Sequence, residues 1–160
     1  MQETIYHRRS LGELSDPWLL RSLHAWHRIS DAKGRFHLGR SMSPIFRNPG
    51  LLLPTGILFR VDGGGPEDFV IVYQGAQATL GLGKNMLGCR LCDYADQAYI
   101  ESAGSELQRA VTRAEIAYHE VEAQIAGRPF HYDRLLYPVL WRGQVDQLLT
   151  VARWRFPVFH

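Results

Sequence analysis

The chain has 160 residues, 46% of them hydrophobic and 21% charged, enough to build one domain with a real core and too apolar for a largely disordered protein. Its 18 basic and 16 acidic residues leave a formal charge of +2 and are scattered, which gives no electrostatic reason to expect a nucleic-acid partner. No apolar run approaches the ~18 residues that a membrane helix needs, and no secretory leader follows Met1, so neither membrane insertion nor export is expected and a cytoplasmic location follows by default.

In chain order, residues 1–15 carry mixed charge with little periodicity and read as a flexible arm. Ser15-Asp16-Pro17 is a helix start, with Asp16 as the capping group and Pro17 at the first helical position. Leu19, Leu20, Leu23, Trp26 and Ile29 then recur at helical spacing, with Trp18 beside them. The Gly- and Pro-rich stretch that follows reads as a connector, so residues 16–56 form an N-terminal helix and connector ahead of the main domain, 57–160.

Strands are expected at 57–62 and 69–74, short helical turns from Gly75 to Asp96, and a longer helix from Gln97 to Arg113 that Gly104 interrupts. Alternation at 117–125 gives a third strand, with His119, Val121, Ala123 and Ile125 on one face. The last two strands, near 130–140 and 145–155, are joined by a tight turn at Arg142-Gly143-Gln144. The chain ends soon after, at His160, so no separate output or catalytic domain is expected beyond this hairpin. The strands join into one five-stranded antiparallel sheet, an α+β fold with short helices over one face and a pocket between helices and sheet.

That element order resembles the PAS fold. Asp16 to Arg28 with its tryptophans, the strand Phe69–Tyr73 followed by Gly75, Gly88 among short helices, and above all Tyr132-Asp133-Arg134-Leu135-Leu136-Tyr137-Pro138 with Gly143 and Val145-Asp146-Gln147-Leu148-Leu149 resemble the short single-domain PAS family of bacteria. The resemblance spans residues 16–155 and implies a cytoplasmic sensory or interaction module, in a family whose members mostly lack an attached kinase or cyclase.

Cys89-Arg90 before apolar residues is similar to the flavin-binding light-sensing motif, but Asp93 stands where that motif has a glutamine, and the only asparagines are Asn48 and Asn85. Cys89 and Cys92 make a single Cys-x-x-Cys, two ligands where structural zinc needs four, and read as two partly buried thiols. The helix 97–113 has no histidine to serve as an axial haem ligand. Gly81-Leu82-Gly83-Lys84 lacks phosphate-loop spacing, and no nucleophile, base and orienter assemble from adjacent motifs.

No cofactor is therefore expected, and the chain reads as a non-enzymatic sensory module for an unknown small organic ligand, an unknown signalling protein partner, or both. The candidate ligand residues are Tyr73, Tyr94, Tyr99, His119, Tyr132 and Arg134. Arg134 alternates in register with Tyr132 and Leu136; facing inward it would need Asp133, Asp146 or an acidic ligand as its partner, and facing outward it would be solvated. Trp18, Leu19, Leu23 and Trp26 are the candidate interface of a homodimer, since they exceed the apolar surface that a helix beside one small sheet hides. Two other readings stand beside this one: an enzyme or carrier on a cone-shaped α+β fold, and a ligand-free structural adaptor.

Overall fold

The computed structural model describes residues 5–63, 65, 68–93, 97–125 and 128–155. The alternating segments pair as their hydrophobic pattern requires. Strands β3 (Ile57–Val61) and β4 (Phe69–Gln74) form one antiparallel hairpin, and β5 (Ala117–Ile125), β6 (Arg128–Trp141) and β7 (Gln144–Trp154) form a meander. Pairing of β3 with β7 joins the two into a five-stranded antiparallel unit in the order β5-β6-β7-β3-β4. The β6–β7 turn is Arg142-Gly143, with φ of 50° and 78°, the doubly left-handed conformation whose twist matches paired strands.

Two further strands, which the sequence pattern does not show, bring the sheet to seven strands among the described residues. The expected arm folds instead as β1 (Ile5–Arg9), which pairs antiparallel along β5 from Ile5↔Glu122 to Arg9↔Tyr118. Four of its five residues are exposed, and an edge strand with charges on it carries almost no hydrophobic alternation. β2 (Phe36–His37) lies parallel to β6 at Val139 and Leu140, beyond Leu136 where pairing with β5 stops. The turn expected at Gly127 falls outside the described residues.

Both faces of the sheet are covered, not one. Helices α3 (Ala76–Leu82) and α4 (Gln97–Arg113) belong to one side, with α4 running unbroken through the buried Gly104. The core under α4 is built from Phe59, Phe69, Ile71, Ile100, Leu107, Val121, Leu136 and Leu148. Helix α1 (Pro17–Ile29) packs on the other side against Leu135, Tyr137, Val139, Leu149 and Val151, together with Ile45 from α2 (Ser43–Phe46). Asp16 caps α1 as expected, its side chain accepting from the backbone of Trp18 and Leu19.

The assignment of Leu19 and Trp26 to a dimer interface is corrected by this packing. Both are fully buried inside the chain's own α1-side core. Trp26 stacks on Tyr137 with ring centroids 4.4 Å apart and donates its Nε1–H to the Gly34 carbonyl at 2.7 Å. Ser22, buried beside it, donates to the Leu51 carbonyl and accepts from the Tyr137 hydroxyl.

The connector folds tightly against this core. A Cβ on Gly75 would overlap the carbonyl oxygens of Leu53 and Pro54, which are backbone and cannot step aside. Gly75→Ala is expected to cost about 1–3 kcal/mol, as an overpacked core site does. A urea midpoint unchanged by this substitution would contradict the close approach.

Candidate functional site

The functional candidates gather on the face of the sheet under α4. Register places Arg8, His119 and Arg134 in one row across β1, β5 and β6, and Tyr6, Val121 and Tyr132 in the next row of the same face. Period-2 alternation turns all of them toward α4. From above, Glu106 of α4 reaches down to the first row. Its Oε2 lies 3.0 Å from His119 Nε2, and its Oε1 lies 3.4 Å from Arg8 Nε.

Burial decides the protonation of this row. His119 is wholly buried, and desolvation holds its pKa down at about 4; the Glu106 hydrogen bond opposes that shift, and the positive charge of Arg134 reinforces it. The imidazole is therefore neutral at pH 7. Arg134 Nε–H donates to His119 Nδ1 at 3.2 Å, which fixes the proton on Nε2, and that N–H donates to Glu106. Glu106 stays ionised: burial pushes its pKa up, but the hydrogen bond from His119 and the charges of Arg8 and Arg134 oppose burial and hold it below the ordinary value.

Arg134 is the unusual member. It is 4% exposed, and its Nη2 is buried with no hydrogen-bond partner. Among the described residues no carboxylate lies within ion-pair distance of it, and Glu106 reaches it only through His119. The guanidinium carbon instead lies 4.7 Å from the centre of the Tyr6 ring. Burial disfavours its charge, while Tyr6, Tyr132, Tyr99 and Glu106 around it favour that charge. The Tyr6 and Tyr132 hydroxyls are 3.4 Å apart, and Tyr99 hydrogen-bonds to Tyr132, whose own pKa burial pushes far up.

Four of the six residues read from the sequence thus come together: Tyr99, His119, Tyr132 and Arg134. Arg134 faces inward. The aspartates named as its alternatives point elsewhere, with Asp133 paired to Arg155 and Asp146 beside Gln147. Tyr73 is corrected. It sits on the α1 side, edge-on to Phe46 at 5.3 Å, and donates to the Leu53 carbonyl at 2.9 Å. Tyr94 lies outside the described residues.

Tyr6 and Glu106 were missed by sequence reasoning. Tyr6 belongs to a segment with no readable pattern. Glu106 had a signal: it falls three residues after Ala103 and four before Ala110, on the edge of the buried stripe of α4.

Next to the row, a cleft of about 220 Å³ opens between the end of α4 and β1, with Arg8, Arg9, Arg109 and Arg113 set against Glu106 and Glu115 on its walls. Cys89 is a half-buried free thiol, and no cluster of three or more potential metal ligands occurs among the described residues. No helix among them is long and apolar enough to cross a membrane.

No family model and no curated protein matches the chain. Solved structures do. A light-oxygen-voltage domain studied with a flavin analogue matches with a TM-score of 0.49 at 15% identity, over 62% of this chain and 75% of that one. The PAS domain of nitrogen regulation protein NR(II) from Vibrio parahaemolyticus matches with a TM-score of 0.43 at 17% identity, over 62% and 89%. The PAS-B domain of Cycle from Drosophila melanogaster matches with a TM-score of 0.45 at 15% identity, over 61% and 98%. These are partial likenesses of fold. The strand order β5-β6-β7-β3-β4, with α3 and α4 inserted between the hairpin and the meander, is this chain's own witness. The fold is PAS-like.

A flavin is a group that this fold brings into question, and the residues do not fit it. An isoalloxazine edge needs amide donors and acceptors on neighbouring strands. Among the described residues the positions of β5, β6 and β7 turned toward α4 include His119, Val121, Ala123, Phe130, Tyr132, Arg134, Leu136, Leu148, Thr150 and Ala152, with no amide among them, and the Gln74 amide on β4 is engaged by Thr79, Lys84 and Met86.

Proposed function

We propose that this PAS-like chain is a non-enzymatic sensory module that binds a small organic molecule between α4 and the sheet and passes the bound state to a signalling protein partner. The observation that carries this reading is the buried Arg134 guanidinium with Nη2 unpartnered, a group that costs several kcal/mol to leave unsatisfied in a filled core. A ligand-free adaptor has no use for such a group.

Both nitrogens of His119 are already engaged, one accepting from Arg134 and one bonded to Glu106, which leaves no free base for a substrate. That favours a sensor over the enzyme reading. A cytoplasmic location suits a domain of this kind.

The reading is tested by native mass spectrometry of freshly purified protein, with denaturation to release whatever is held. A stoichiometric small molecule is the expected result. Protein that carries nothing, and that no member of a metabolite library stabilises against heat, would overturn it.

Output through a homodimer fits what α1 leaves uncovered. Trp18 remains 45% exposed, with Arg21 and Arg153 stacked over its ring, and Leu23 is half-buried at the edge of the α1-side core. Light scattering at tens of micromolar, roughly the regime of weak interfaces, is expected to give a dimer for the intact protein and a folded monomer for Leu23→Asp. A monomeric intact protein, or a folded Leu23→Asp that stays dimeric, removes this interface.

A further inference from the structure

We infer that the ligand of this site is a small organic carboxylate with a compact aromatic body, its acid group held by the buried guanidinium of Arg134 and covered by Tyr6 of the edge strand β1. This rests on the sensory reading above and names the chemistry of its ligand.

A guanidinium carries five N–H donors in one plane. In Arg134, Nε is taken by His119, and the two N–H groups of Nη2 meet no acceptor. The Tyr6 ring at 4.7 Å offsets part of the charge through its π face but accepts nothing in the guanidinium plane. Glu106, the carboxylate of the same row, is occupied by His119 and Arg8. What matches a planar donor edge is the paired oxygens of a carboxylate. The hydroxyls of Tyr6, Tyr99 and Tyr132 ring the same point and supply further polar contacts, while their rings and Val121 form an apolar wall suited to an aromatic body.

Access is built from the same residues. Among the described residues β1 pairs with β5 only, so the ring that covers Arg134 rides on an edge strand, and its displacement breaks side-chain contacts with Glu106, Tyr132 and His119 but no second strand pairing. The adjoining cleft shares Arg8 and Glu106 with the row, and its four arginines against two glutamates draw anions toward it. The cleft, at about 220 Å³, borders the row at Arg8 and Glu106 and does not reach Arg134 itself, so an anion drawn into it meets the guanidinium only once the Tyr6 ring moves aside, which favours a compact ligand. The ionised Glu106 disfavours a second negative group on the ligand.

The test uses the full chain, first stripped of any bound molecule by unfolding and refolding. Sodium benzoate and sodium 4-hydroxybenzoate are the probes; benzamide, uncharged and of the same shape, and inorganic phosphate are the controls. Thermal denaturation and calorimetric titration at pH 7.5 are expected to show binding of the carboxylates and none of benzamide or phosphate.

Arg134→Met is expected to fold at least as stably as the natural chain, because it removes an unsatisfied buried charge, and to bind benzoate at least about tenfold more weakly, the worth of one charged hydrogen bond. Arg134→Lys keeps a charge but loses the planar edge; it serves as the second variant should the methionine chain not fold, and the same loss is expected. Tyr6→Ala, which removes the cover, is expected to speed benzoate association.

Equal binding of benzamide, binding of phosphate alone, or unchanged benzoate affinity in either Arg134 variant overturns the carboxylate anchor. A neutral molecule released from the purified protein, or stabilisation by benzamide, would overturn the anchor and leave the sensory reading standing. Protein that holds no molecule and binds no probe or library member would end both.

Discussion

Trp26→Ala is expected to remove about 3–5 kcal/mol of folding stability, the range for deleting a large buried aromatic side chain. Domains of this size have about 5–15 kcal/mol in all, so the variant would stand near the edge of unfolding. Three losses act together. The indole is fully buried, and its removal leaves a cavity that the sheet and α1 cannot both close. It gives up the parallel stack on Tyr137 at 4.4 Å, with 12° between the planes. It also strands the Gly34 carbonyl, which accepts the Nε1–H at 2.7 Å.

Trp26→Phe separates these effects. It can keep the stack and loses the hydrogen bond, and is expected to cost about 1–2 kcal/mol. Urea denaturation followed by circular dichroism measures both. The outcome that would sink this account is a Trp26→Ala chain of unchanged stability and altered oligomeric state, for then α1 packs on a second copy and not on its own sheet.

The same residue marks where the sequence stops being legible. Helix periodicity finds α1, and Asp16-Pro17 fixes its start, but nothing in the spacing of Leu19 and Trp26 tells which surface they meet. A sheet covered on one face leaves that stripe for a partner, whereas this sheet takes it on its second face. The strands β3 to β7 are readable because each alternates, and the Arg142-Gly143 turn is readable because few residues adopt two left-handed conformations in succession. β1 is not readable, since an exposed charged edge strand lacks the alternation that betrays buried ones.

Tyr73 is misplaced for a sharper reason. Alternation from Phe69 and Ile71 puts it under α4. The β3–β4 register shifts between Leu58 and Phe59, so that Leu58 opposes Tyr73 while Phe59 opposes Ile71. That bulge uses up one residue and turns Tyr73 to the α1 side. In β5 and β6 no such shift separates the residues of the site, and His119, Tyr132 and Arg134 lie where simple alternation puts them.

Acid is expected to destabilise the chain through His119. Its pKa is about 4 in the folded protein, against an ordinary value of 6.5 when unfolded, because burial disfavours the imidazolium. Between those two values the unfolded chain binds the proton and the folded chain does not. Stability then rises with pH across the window. The contribution is fully present above pH 6.5 and is lost as the pH falls toward 4. A shift of this size corresponds to about 3 kcal/mol, each unit being worth ~1.4 kcal/mol. Glu106 acts in the same direction at lower pH. Its folded pKa lies below the ordinary 4.5, so its contribution is present above that value and is lost on further acidification. His119→Gln isolates the histidine. The amide oxygen can accept from Arg134 Nε–H and the amide N–H can donate to Glu106, so both bonds of the imidazole persist in a group that does not titrate. Urea midpoints at pH 7.5, 6.0 and 4.5 are expected to fall steeply for the natural chain and to stay nearly level for His119→Gln. If the two fall in parallel, the acid response comes from other groups, and the neutral imidazole that holds Arg134 Nε in place is not what this row is built on.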